Sequence, residues 1–126
     1  MKRRNAQALQ SDTKNAKGNR AKAEAYLALA LLHDNRGREA KAIPNYRKAI
    51  CYGLPRERKA HVFGHLARAL WKTGRPQKAR GNARIALRLT RDPKLKAWIT
   101  RLTIRIDRRP HGVPAPKDAG LNIRFV

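Results

Sequence analysis

The chain has 126 residues, 31 of them Lys or Arg against 8 Asp or Glu, for a formal net charge of +23. Its length bounds it to one domain. A globule with so much unbalanced charge repels itself, which points to a polyanionic partner: RNA, DNA or, less often, an anionic membrane or an acidic protein.

Cys51 is the only cysteine, so an internal disulfide is excluded. The expected setting is the cytoplasm or another reducing compartment, an organellar matrix included. Cys51 itself reads as a small buried apolar residue. No run approaches the ~18 apolar residues of a membrane span. Met1-Lys2-Arg3-Arg4-Asn5 is basic with no apolar block behind it, so no secretory signal is expected.

Residues 1–21 are mostly Lys, Arg, Asn, Gln and Ala with little periodicity. They read as a basic arm, disordered or marginally helical when alone. A first long helix is predicted over Lys22 to Asp34, with Tyr26, Leu29, Ala30 and His33 on one face. Gly37 suits the left-handed cap that ends it. A second helix runs from Arg38 to Cys51, with Ala42, Ile43, Tyr46, Ala49 and Ile50 inward. Pro44 should weaken or kink it, since proline donates no hydrogen bond.

Gly53-Leu54-Pro55 is a break. A third helix follows over Arg56 to Lys72, carrying Val62, Phe63, Leu66, Ala67, Leu70 and Trp71. After Thr73-Gly74-Arg75-Pro76 comes a fourth, Gln77 to Thr90, with Ala79, Ala83, Ala86 and Leu87 inward. Asp92-Pro93 reads as an N-cap and first helical residue. They open a fifth helix to Ile106 with Leu95, Trp98, Ile99 and Leu102 apolar. Residues 108–126 hold Pro110, Pro114 and Pro116 and read as an extended tail.

The two hairpins resemble the tetratricopeptide repeat, which places an aromatic, Leu and a small residue in its first helix and Ala then an aromatic in its second. The first copy supplies Tyr26, Leu29, Ala30 and His33, then Gly37, then Ala42, Tyr46 and Ala49. The second supplies Phe63, Leu66, Ala67 and Leu70, then Gly74, then Ala79, Ala83 and Ala86. Ala83 departs from the pattern, where an aromatic is usual, and His33 and Leu70 stand in place of tyrosine. Gly37 and Gly74 lie 37 positions apart (74 minus 37), against ~34 in the family. The resemblance implies an all-α fold: a short right-handed solenoid of two helical hairpins plus a capping helix over residues 22–107, flanked by the basic arm and the Pro-rich tail.

No enzyme is expected, and no cofactor. His61 and His65 stand at i, i+4, a spacing that can hold a metal, but only Glu57 lies near enough in sequence to help. They read as groove or surface histidines, with no metal site. In the family the first helices line a groove that holds peptides. A well-known version grips an acidic C-terminus through Lys, Asn and Arg side chains, and of the corresponding positions here only Arg101 matches. Leu27, Leu31, His61, His65, Arg68 and Arg101 therefore imply a groove that is part apolar and part weakly basic, fit for a partner protein's helix or extended chain.

The basic surface is the sharper signal. Arg80, Arg84, Arg88 and Arg91 recur at i, i+4, i+8 and i+11 of the fourth helix, with Arg75 and Lys78 beside them. Asp92 is the only acid between Glu57 and Asp107, and ordinary solvated faces mix signs. Arg105, Arg108 and Arg109 extend the surface into the cap, and Lys2, Arg3 and Arg4 add the arm. Such a surface favours phosphate-backbone contact over base reading. Tyr26, Tyr46 and Phe63 are assigned to the core, which leaves no stacking platform for bases. The reading is a non-catalytic scaffold on RNA, most simply rRNA or another RNA within a ribonucleoprotein such as a ribosome. The alternative is a protein–protein adaptor whose groove binds a peptide or helix without RNA.

Overall fold

A computed structural model describes residues 5–108, and among them every regular element is an α-helix. These are α1 (Ala6–Asn15), α2 (Asn19–Asn35), α3 (Glu39–Tyr52), α4 (Arg56–Lys72), α5 (Pro76–Leu89) and α6 (Pro93–Arg108). The contacts separate into two units that divide between Pro55 and Arg56. Expectations for Lys2, Arg3, Arg4, Arg109 and the tail from residue 109 lie outside the described residues.

In the first unit α2 packs on α3, and α1 packs on α2. Within the stretch read as an arm marginally helical when alone, residues Ala6–Asn15 form the helix α1. Asn5 caps it, its side-chain oxygen accepting from the Ala8 N–H at 2.8 Å. Ten residues are too few for a stable isolated helix, and docking on α2 supplies what propensity does not. The α2–α3 seam is built from small side chains: Ala23, Ala30, Ala42 and Ala49 are all fully buried, so the helix axes approach closely. Tyr46 fills the space left over, and its hydroxyl donates to Asp34 Oδ2 at 2.5 Å. Pro44 is exposed and does not end α3, because Ala42 and Ile43 before it and Tyr46 and Ala49 after it are buried on the same side.

Two corrections concern this unit. Cys51 is exposed rather than buried, since it lies opposite the Ala42–Tyr46–Ala49 face. Tyr26 is half-buried: its ring stacks on Tyr52, centroids 5.6 Å apart. Lys48 lies over the Tyr26 ring and Lys22 over that of Tyr52. Phe63, in the second unit, is also half-buried.

In the second unit α5 packs on α4, and α6 packs on both. Ala79, Ala83 and Ala86 form the buried side of α5. Leu95, Ile99, Leu102 and Ile106 form that of α6, and Asp92 caps α6 by accepting from the Lys94 N–H at 3.0 Å.

The helix ends at Gly37 and Gly74 have one geometry. Arg38 N–H reaches His33 O at 2.8 Å and Gly37 N–H reaches Asp34 O at 3.0 Å. Likewise Arg75 N–H reaches Leu70 O at 2.8 Å and Gly74 N–H reaches Trp71 O at 3.1 Å. Both are Schellman closures with the glycine left-handed, at φ 75° and 84°.

Two further glycines sit inside helices. A Cβ on Gly64 of α4 would stand 2.9 Å from Trp98 Cζ3 and 3.6 Å from Ile99 Cγ1, both on α6, whereas one on Gly81 of α5 would meet nothing within 4 Å. Gly81→Ala is therefore expected to stabilise the protein by ~0.5–1 kcal/mol through helix propensity alone. Gly64→Ala gains the same propensity but overpacks Trp98 at a cost of ~1–3 kcal/mol and is expected to lower the urea midpoint. Equal stabilisation by both variants would refute the close α4–α6 approach.

Candidate polyanion-binding surface

The arginine row of α5 lies opposite its alanine seam. Arg84 and Arg88 are exposed and make no ion pair among the described residues. Arg75, Lys78 and Arg91 are exposed as well, as are Arg101, Arg105 and Arg108 on α6. Arg80 differs. Its Nε donates to Asp107 Oδ1 at 2.9 Å, with 34% of its side chain accessible. This corrects the expectation of a row without counter-charge: packing of α6 on α5 carries Asp107, 27 residues along the chain, to the start of the row. Arg80 acts first as a tie between helices.

The far end of the row is fixed by a clasp that sequence reasoning missed. Arg56, the first residue of α4, donates from Nε to Leu89 O at 2.9 Å and from Nη2 to Arg88 O at 3.4 Å. A cation there meets the negative end of the α5 dipole. Glu57 accepts from the Thr90 hydroxyl at 2.8 Å and from the Arg91 N–H at 2.6 Å. The carboxylate considered as a metal partner of His61 is thus engaged at the α5–α6 turn. Among the described residues no group of three or more His, Cys, Asp and Glu could hold a metal ion.

The expected groove residues fall as follows. Leu27 is buried and Leu31 half-buried in the first unit. In the second, His61 and Arg101 are exposed, while His65 and Arg68 are half-buried. His65 lies against the Trp98 ring with centroids 5.6 Å apart. His61, His65 and Arg68 share one side of α4 by their spacing. Exposed apolar side chains accompany the arginines: Ile85 on α5 and Ile104 on α6, 38% and 45% accessible.

A family model described as tetratrico peptide repeat matches residues 9–97. No curated protein matches the chain, and no solved structure does. No helix among the described residues is long and apolar enough to cross a membrane.

Two titrating groups report on this architecture. His33 has its pKa pushed below the ordinary histidine value, first by burial and then by Arg38, Lys41 and Arg36. It folds neutral, so its contribution is fully present above the unfolded value of ~6.5 and is lost as pH falls below that value. Glu57 has its pKa lowered, first by the Arg91 N–H and then by the Thr90 hydroxyl. Its contribution is present above the unfolded value and is lost as pH falls through the lower, folded one. The urea midpoint should therefore fall between pH ~7.5 and ~5 in the parent, and His33→Gln should flatten that segment while leaving the acid limb due to Glu57. Parallel profiles for parent and variant would show that His33 does not set the slope.

Proposed function

The chain belongs to the tetratricopeptide repeat family, whose repeats typically bind partner proteins, and on that footing we propose a non-catalytic adaptor that docks on RNA through the arginine side of α5 and α6. Its setting is a ribonucleoprotein such as a ribosome, in a reducing compartment. The observation that carries the reading is the exposure of Arg84 and Arg88 without a carboxylate partner among the described residues, in a chain of net charge +23. A phosphate backbone supplies the missing negative charge, and guanidinium groups suit it by their planar fork of donors.

A second reading, contact with a protein alone, draws support from Ile85 and Ile104. Each stands within one helical turn of arginines, and an apolar side chain beside a cation suits an acidic amphipathic partner.

Filter binding against single-stranded and duplex RNA over a salt series separates the two. The expected result is a steep fall of affinity with salt. Arg84→Glu with Arg88→Glu should weaken binding at least ~10-fold and reduce the salt slope by about 2, one for each lost phosphate contact. Ile85→Ser with Ile104→Ser should leave RNA affinity unchanged. No RNA binding at low salt, or a loss on isoleucine replacement equal to that on arginine reversal, would overturn the RNA reading.

A further inference from the structure

A cleft of about 490 Å³ opens in the first unit, far along the sequence from the α5 row. The helix α1 contributes Gln7, Gln10, Ser11 and Lys14, α2 contributes His33, and α3 contributes Lys41. Every one of these side chains offers a hydrogen-bond donor, and no carboxylate lines the cleft. His33 is only 8% accessible, and its buried Nδ1 has no hydrogen-bond partner among the described residues. A buried polar atom without a partner costs ~1–3 kcal/mol and calls for an explanation.

We propose that this cleft is a binding site for a small phosphomonoester, its phosphate held between Lys14 and Lys41 beside His33 and its polar body against Gln7, Gln10 and Ser11. Two ammonium groups match a dianion better than a single carboxylate. The volume exceeds that of a phosphate ion and falls within the ~300–1,000 Å³ of small-molecule sites, so the ester's organic part has room. Burial, then Arg38, Lys41 and Arg36, hold the His33 pKa below the ordinary value, so His33 lines the cleft as a polar group without having to supply a third charge. Formation of α1 is a precondition, since four of the six groups come from it. The proposal does not rest on RNA binding by α5 and α6.

The test is a titration of the full chain at constant ionic strength, followed by amide and histidine-ring nuclear magnetic resonance. The probes are glucose 6-phosphate, inorganic phosphate, acetate and chloride. Saturable shifts at Gln7, Gln10, Ser11 and His33 are expected with glucose 6-phosphate, at least ~10-fold tighter than with acetate. Lys14→Gln with Lys41→Gln should weaken binding by ~10-fold or more. Both lysines are exposed, so these replacements leave the core intact. Arg84→Glu with Arg88→Glu should leave the titration unchanged, which separates this site from the RNA surface. Equal affinity for inorganic phosphate would remove the organic part from the proposal, and equal affinity for acetate would remove the phosphate. Shifts that rise without saturation, match those of chloride, or persist in the double lysine variant would overturn the site altogether.

Discussion

The structure depends on alanine. Ala23, Ala30, Ala42 and Ala49 in the first unit, and Ala60, Ala67, Ala69, Ala79, Ala83 and Ala86 in the second, are all fully buried. A methyl group at each contact lets helices pack along narrow seams. A narrow seam leaves most of each helix circumference outside, and that is where the charge goes. In α5 the seam is Ala79, Ala83 and Ala86, and the rest of the helix carries Lys78, Arg80, Arg84 and Arg88. The same choice limits the energy of the core, since burying one methyl contributes only about the ~0.8 kcal/mol of a single carbon. High charge and thin seams are two sides of one composition.

The two hairpins solve the seam differently. The offset that relates Gly37 to Gly74 also relates Tyr46 to Ala83 and Asp34 to Trp71. The first repeat sets its large residue on α3 and joins it to a buried carboxylate through the tyrosine hydroxyl. The second sets alanine at that position and tryptophan at the other. The glycine closures stay the same in bond pattern and φ. The turn is thus the invariant part of the repeat, and the packing between turns is exchangeable provided volume is redistributed.

This explains what could be read in advance. Five of the six helices were legible because Gly37, Gly53, Gly74, Pro76 and Pro93 punctuate a strong apolar period, and local backbone chemistry acts over a few residues. Legibility failed wherever the deciding partner was remote in sequence. The helix α1 lacks an apolar stripe and needs α2. Tyr26 looked like core by period, yet its ring faces Tyr52 rather than the alanine seam. Arg80 with Asp107, and Arg56 and Glu57 with the end of α5, join residues 27 to 34 positions apart. Of the candidate surface, the outward placing of Arg84 and Arg88 was legible from their spacing. Which arginine is tied down, and the cleft beneath α1, were not.

The tie changes how the row should be understood. Arg80 is paired with Asp107 and Glu57 is committed to a turn, so these acids of the second unit hold helices in place rather than dilute its charge. The outward arginines then repel one another at helical spacing, each adjacent pair costing a few tenths of a kcal/mol. Chain-wide repulsion at net charge +23 adds to that. An anion that binds only the folded array lowers this repulsion, and by mass action its binding energy becomes folding stability, growing with the logarithm of its concentration over Kd. For a protein with thin alanine seams, an anion held by the folded array would therefore add directly to the stability of the fold.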